Sequence, residues 1–169
     1  MTIWREIRAG VLTCSDSCFY QGLPDDAGTW LRDRLQEKGC QVVAYAVVPD
    51  EEERIATMLE VWVTYKRCDL IITTGGTGLG PRDVTPEATR RVIERVAPNF
   101  MEYARWKTGQ GQPLAYLSRG IAGVRSRTLI LNFPGHPQAV REYWEALEPL
   151  LTHGLALLRG KALHPRGPR

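Results

Sequence analysis

Leu70-Ile71-Ile72-Thr73-Thr74-Gly75-Gly76-Thr77-Gly78-Leu79-Gly80-Pro81-Arg82-Asp83-Val84-Thr85-Pro86 is the stretch whose reading decides the fold. Residues 69–74, apolar and rich in β-branched side chains, read as a buried strand. Thr85-Pro86 reads as an N-cap followed by proline at the first helical position. Between them stand Gly75, Gly76, Gly78 and Gly80, which leave the backbone bare enough to touch an anion. Arg82 and Asp83 bring both charge signs into the same turn. A strand, a glycine-rich turn and a helix start together make a device for handling phosphate. The pattern is neither a P-loop, which ends in Lys-Ser/Thr, nor GxGxxG, and a plain structural turn is the competing reading.

The same alternation extends to both sides. Residues 7–12 read as a first strand, followed by a polar loop over 13–28. Trp30, Leu31 and Leu35 recur at helical spacing, and Gly39 suits a helix stop. Residues 41–48 read as a second strand, ended by Pro49. Asp50 and Glu53 then read as the capping pair of a helix whose buried stripe is Ile55, Met58, Leu59 and Trp62. Beyond the glycine segment, Ala88, Val92, Ile93 and Val96 carry a helical stripe as far as Pro98, and a further helix spans 100–107. Residues 108–127 are mixed and glycine-rich, without a clear period. TLILN at 128–132 is a strong strand. FPGHP turns the chain, and Pro137 starts a helix faced by Ala139, Val140, Tyr143, Trp144 and Leu147. Pro149 is expected to bend or restart that helix before residue 158.

Strands alternating with helices imply an α/β fold of three layers, a mostly parallel sheet with helices on both faces. No internal repeat or linker interrupts it, so residues 1–160 read as a single domain and 161–169 as a basic, flexible tail. Hydrophobic residues at 43% and charged residues at 24% are ordinary for a soluble globular protein. A net charge of +3, much of it from Arg159, Lys161, Arg166 and Arg169, is too small to argue for nucleic acid. No apolar run approaches the ~18 residues of a membrane span, and the N-terminus lacks a signal-peptide core. The expected location is therefore the cytoplasm. Cys14, Cys18, Cys40 and Cys68 read as reduced thiols, and no second pair completes a zinc set with Cys14 and Cys18.

Every unusual loop (13–28, 49–50, 74–85 and 133–137) follows the C-terminal end of a predicted strand. Open α/β sheets bind ligands at that edge. Asp16, Asp25, Asp26, Asp50 and Asp83 lie on it, and paired aspartates beside phosphates suit Mg²⁺, a hard cation seeking oxygen. Local sequence favours plainer readings for some of them: Asp50 as a helix cap, Asp83 as a cap of the turn before Thr85, Asp25 as a solvated acid. Thr13, Ser15 and Asp16 sit at a strand end, where hydroxyls bind phosphate oxygens or satisfy the turn. Arg82 and Arg119 are candidates to neutralise phosphate charge. His136, the only histidine on this edge, reads as a surface residue. No Ser-His-Asp set or reactive-cysteine setting stands out, which suits phosphoryl-type transfer driven by positioning and metal charge.

Taken in order, these pieces match a known family. Thr13-Cys14-Ser15-Asp16-Ser17, Asp26-Ala27-Gly28, Val48-Pro49-Asp50-Glu51, Thr73-Thr74-Gly75-Gly76-Thr77-Gly78, Arg82-Asp83-Val84-Thr85-Pro86-Glu87-Ala88-Thr89 and Asn132-Phe133-Pro134-Gly135-His136-Pro137 carry the match. Through them the chain resembles the MogA/MoaB family of molybdenum cofactor biosynthesis proteins. The resemblance implies a molybdopterin-binding, MogA-like fold, a homotrimer, and molybdopterin adenylyltransferase activity. In that reaction the terminal phosphate of molybdopterin attacks the α-phosphate of MgATP, giving adenylated molybdopterin and pyrophosphate. It further implies Mg²⁺ as cofactor, ATP and molybdopterin as substrates and a downstream molybdenum insertase as a candidate partner, with no nucleic acid and no membrane.

By position, Asp50 and Asp83 match two essential aspartates, assigned by the resemblance to Mg²⁺ and to positioning at the α-phosphate. Gly75, Gly76, Thr77 and Gly78 match the nucleotide-contacting loop, and Pro134 with Gly135 a loop that frames it. Thr13, Ser15 and Asp16 match a first-strand motif of the same cleft, and Ser118 with Arg119 a segment often written SRA. Four positions depart from the usual pattern: Cys14 for valine, Ala27 for serine, Phe133 for leucine and Gly120 for alanine. Of these, Phe133 sits beside the nucleotide loop and bears on how the adenine is held. Three rival roles use the same fold: a multidomain insertase, a competence-damage-type nucleotide pyrophosphatase, and a non-catalytic MoaB-type pterin-binding or assembly protein. The first two are usually longer, and the two aspartates argue against the third.

Overall fold

A computed structural model describes residues 2–161. Six strands form one sheet: β1 (Arg8–Cys14), β2 (Gln41–Val48), β3 (Leu70–Thr74), β4 (Arg95–Val96), β5 (Ala122–Arg125) and β6 (Thr128–Phe133). Their order across the sheet is β2-β1-β3-β6-β5-β4. The first four run parallel; β5 pairs antiparallel with β6, and β4 pairs antiparallel with β5. The helices are α1 (Asp16–Gln21), α2 (Asp26–Lys38), α3 (Glu52–Thr64), α4 (Thr85–Val92), α5 (Pro98–Gly109) and α6 (Pro137–Leu158). Short 3-10 turns lie at Ile3–Glu6 and Pro113–Leu117.

Two apolar cores explain why the central strands read as unbroken hydrophobic runs. On one face Leu31 and Leu35 of α2, Met101 of α5 and Trp144, Leu147 and Leu151 of α6 pack with Val11, Leu70, Ile72 and Leu131. On the other, Ile55, Leu59 and Trp62 of α3 and Ala88 and Val92 of α4 pack with Leu12, Ile71 and Ile130. Leu70 and Ile72 thus serve one core and Ile71 the other, as period-two alternation requires of a strand covered on both sides. From β1 the chain crosses to β2 on one side and returns to β3 on the other, so β1 and β3 flank a topological switch point. Thr13 and Thr74, the last register pair between them, mark that point.

Four local expectations are corrected. The 13–28 loop holds a six-residue helix, α1, which buries none of its side chains and so has no apolar period to betray it; Ser15 Oγ caps it by accepting from the Cys18 N–H at 3.2 Å. The stripe expected to reach Val96 stops at Val92, because Arg95–Val96 leaves the helix to pair with β5. Thr85 is the first helical residue, not the cap, and its hydroxyl donates to the Gly75 carbonyl at 2.9 Å. Pro149 does not restart α6, which runs through it as one 22-residue helix. Leu147, Leu151 and Leu155 are fully buried on either side of that proline. Their burial outweighs the roughly 3 kcal/mol that an interior proline costs.

At the end of α6, Arg159 bonds Asp69 and Lys161 bonds Glu6, so both are tied to the body of the protein. Residues 162–169 of the expected tail lie outside the described residues. No helix among the described residues is long and apolar enough to cross a membrane. All four cysteines are free, and burial pushes the thiols of Cys14, Cys40 and Cys68 up to about 12.

Candidate active site

The loops after β1, β2, β3 and β6 meet at the switch point. Asp16 and Asp50 lace two of them together: the Asp16 N–H donates to Asp50 Oδ2 and the Asp50 N–H donates to Asp16 Oδ1, each at 2.9 Å. This clasp takes Asp50 away from the capping role that local sequence favoured. Glu51 occupies the cap of α3 instead and makes no side-chain cap bond. Arg82, reaching over from the glycine segment, forks onto both Asp16 oxygens at 3.0 Å.

The glycine loop itself needs bare backbone. Gly75 (φ 88°) and Gly76 (φ 67°) are left-handed. A Cβ on Gly75 would sit 2.4 Å from the Cys14 carbonyl oxygen, and one on Gly76 would sit 2.2 Å from Thr85 Oγ1 and 2.9 Å from Asp50 Oδ1. Further along, a Cβ on Gly78 would meet Asp83 Oδ2 at 2.9 Å. Backbone 76–78 therefore runs between the two carboxylates, touching Asp50 at one end and Asp83 at the other. Gly135 closes from the opposite side, where a Cβ would lie 3.1 Å from the Gly75 Cα.

Two hollows flank this backbone and share Gly135. The first, of about 540 Å³, is lined by Thr13, Ser15, Asp16, Asp50, Gly75 and Gly76 among others. Asp25 and Asp26 line it too, so its walls are strongly acidic. The second, of about 580 Å³, is lined by Thr77, Gly78, Ser118 and Pro134, with Leu114, Leu117 and Tyr143 supplying apolar walls. Ser118 Oγ donates to Thr77 Oγ1 at 3.1 Å. Asp83 and Arg119 line neither hollow; they belong to the hinge between them. Asp83 Oδ2 accepts from the Gly80 N–H at 2.9 Å. Arg119 gives Nε to the Gly78 carbonyl and Nη2 to the Asp83 carbonyl, each at 2.8 Å, and pairs with Glu87. Its own N–H donates to the Thr77 carbonyl at 2.7 Å. A guanidinium so engaged braces the loop.

Electrostatics single out Asp50. Burial pushes its carboxyl above the usual aspartate range, against the Asp16 N–H that lowers it, and the neighbouring charges of Asp16 and Asp83 raise it further. Its Oδ1 is buried and has no hydrogen-bond partner among the described residues. An orphaned carboxylate oxygen costs free energy unless something else meets it. Asp16 behaves oppositely: the Arg82 guanidinium holds its carboxyl below the ordinary range.

Asp25, a solvated acid by its local sequence, is engaged on three sides. It caps α2 by accepting from the Gly28 N–H at 2.9 Å, and it also accepts from the Thr13 hydroxyl at 2.6 Å and the Tyr45 hydroxyl at 2.5 Å. Its spacing to Gly28 was the available signal, since an aspartate three residues ahead of a small helical residue is a cap pattern. Asn132 was missed as well. Fully buried, it accepts from the Ile121 N–H and donates to the Thr73 and Thr89 hydroxyls, fixing the strand beneath the loop. His136 caps α6 through Nδ1.

Residues 10–153 match the family described as "Probable molybdopterin binding domain". The chain belongs to this molybdopterin-binding family. Among its relatives, the molybdenum cofactor synthesis protein cinnamon of Drosophila melanogaster is 40% identical over 154 residues, which are 90% of this chain and 26% of that much longer protein. The molybdopterin adenylyltransferase of Helicobacter pylori strain J99 is 37% identical over 156 residues, covering 91% of this chain and 89% of the relative. The crystal structure of the molybdopterin biosynthesis enzyme MoaB from Thermus thermophilus superposes with a TM-score of 0.86 at 46% identity, over 94% of this chain and 99% of that one. The MogA/MoaB fold that the resemblance implies is thus the fold observed.

Proposed function

We propose that the chain is a molybdopterin adenylyltransferase that acts in molybdenum cofactor biosynthesis. A terminal phosphate oxygen of molybdopterin attacks the α-phosphorus of ATP. The bond from that phosphorus to the bridging β-phosphate oxygen breaks, pyrophosphate leaves, and adenylated molybdopterin forms. The nucleophile belongs to the substrate, in keeping with a site that offers no activated serine, cysteine or lysine. The observation that carries the proposal is Asp50, whose unpartnered oxygen lies beside Gly76 in the acidic hollow.

The donor set fits Mg²⁺. Four aspartates line the first hollow, so phosphate would be repelled there unless a cation accompanied it. Among the described residues no three His, Cys, Asp or Glu side chains group into a ready-made metal site. Mg²⁺ takes one or two carboxylates and completes its shell with phosphate oxygens and water. Asp50 and Asp83 would hold it, and bound there it would neutralise phosphate charge at the α-phosphate. The backbone of Gly75–Gly78 approaches the nucleotide without side chains in the way. Thr13, Ser15 and Asp16 shape the phosphate side. Ser118, Pro134 and Gly135 frame the apolar hollow, whose walls suit a planar ring. Arg119 is a positioning residue, holding Gly78 and Asp83 in register.

Asp83→Asn separates binding from chemistry. It should leave molybdopterin binding largely intact while abolishing pyrophosphate release; lost pterin binding would show that Asp83 has been misassigned. The proposal extends to a cytoplasmic homotrimer that hands its product to a molybdenum insertase. Sedimentation should give three times the 19.0 kDa chain mass, and a monomer would contradict the trimer.

A further inference from the structure

The opposite edge of the sheet carries a cleft of about 540 Å³ that shares no residue with either hollow. It opens at the N-terminal ends of the parallel strands, so the length of β3, five residues at about 3.3 Å each, separates it from the glycine loop. Five arginines line it: Arg8 from β1, Arg67 from the α3–β3 connection, Arg125 and Arg127 from the β5–β6 hairpin, and Arg159 after α6.

Two carboxylates face these arginines, and both are already engaged. Asp69 accepts from Arg159 Nη1 at 3.0 Å and from the Arg8 N–H at 2.9 Å. Glu6 receives Lys161 Nζ on both oxygens at 2.6 Å. Arg125 pairs outward with Glu94 at 3.5 Å. Arg8 gives Nε and Nη2 to a neutral acceptor, the Lys66 carbonyl. Arg67 and Arg127 are exposed and make no hydrogen bond or ion pair among the described residues. Arg8, Arg67 and Arg127 therefore line one concavity, and none of the three guanidiniums has a carboxylate partner among the described residues.

The backbone makes the same point independently. Only two non-glycine residues among those described adopt left-handed φ: Arg67 at 50° and Ser126 at 53°. Both line this cleft. One follows a helix end and the other opens a two-residue hairpin turn, the two settings in which glycine or asparagine relieves that conformation. The chain instead keeps an arginine at the first and a Ser-Arg pair at the second. Two such outliers lining one cleft motivate a functional hypothesis for it.

We propose that this cleft is a second anion site, taking an oligophosphate: free tripolyphosphate or the phosphate tail of a nucleotide. Planar guanidinium forks match phosphate oxygens two at a time. The volume is that of a small-ligand site. Arginines arriving from separate elements around a concavity suit a compact, multiply charged anion rather than an extended acidic chain.

Isothermal titration of the full chain with tripolyphosphate, in the absence of Mg²⁺, tests this. The wild type should bind at one site per chain, more weakly as salt rises. Arg67→Ala/Arg127→Ala should weaken that binding on the order of 10- to 100-fold, with Arg67→Lys/Arg127→Lys recovering part of it. Both side chains are exposed, and an unchanged thermal midpoint would confirm that the variant folds. ATP titrated alongside distinguishes the sources. Equal affinity means that the phosphates alone are read; tighter ATP binding that the double alanine variant loses means that a nucleotide is the ligand. Wild-type chain that fails to bind tripolyphosphate, binding indifferent to the two arginines, or preference for a polyglutamate peptide would each overturn the proposal.

Discussion

Asp50 shows how one residue can be misread from its neighbours and still be found. Preceding an acidic helix start, it has the sequence of a cap; in the fold its backbone and one oxygen clasp Asp16, and its other oxygen is left over. Because burial raises its folded pKa, the protein binds that proton more tightly folded than unfolded. Stability therefore falls as pH rises from the ordinary aspartate value through the raised one, and the ionised carboxylate remains a cost at neutral pH. Asp50→Asn should accordingly raise the thermal midpoint at pH 7, with the difference from wild type vanishing below about pH 3 to 4. It should also abolish turnover, and the acid limb of wild-type kcat/KM should lie above the normal aspartate range. A destabilised Asp50→Asn protein at pH 7 would refute this reading. Gly76→Ala probes the same spot sterically. Its Cβ would press on Thr85 and Asp50, so a loss of roughly 1–3 kcal/mol by denaturant melts is expected, with turnover lost. Gly111→Ala, which would meet nothing within 4 Å, serves as the neutral control.

At the scale of elements, the glycine loop owes its shape to what grips it from elsewhere. Arg119, from the stretch before β5, bonds Gly78 and Asp83, while Asn132 on β6 ties Thr73 to Thr89 beneath the loop. Asn132→Ala would leave the Ile121 N–H and two buried hydroxyls without their partner. A loss of about 2–4 kcal/mol in chemical unfolding should follow. Arg119→Ala should lower kcat more than it raises KM, since it loosens the hinge that places Asp83 and removes no wall of either hollow. Such long-range grips are what the sequence conceals. β3, β6 and α3 were legible because their apolar runs serve local periods. The 108–127 region was not, since β5 is four residues long and takes its meaning from pairing with β6 and β4. The helical stripe expected to reach Val96 failed for the same reason: a two-residue strand is chosen by its partner, not by its own composition.

For the whole molecule, alternation of strands and helices was enough to place four polar loops on one edge of a parallel sheet, and the fold bears this out. What alternation could not tell was how that edge divides. The loops form an acidic hollow and an apolar one on either side of the 75–78 backbone, and the two aspartates face it from different sides. A cleft so divided can present phosphate against its acidic wall and a ring against its apolar one, which suits transfer between two large substrates. The most direct test of that claim follows the adenylyl group itself. The protein is incubated with molybdopterin, Mg²⁺ and ATP labelled at the α-phosphate. Transfer predicts the label on the pterin, with one pyrophosphate released for each labelled molecule and none when Asp50 or Asp83 is changed to asparagine. Label that stays in ATP, or appears as free AMP, would contradict it.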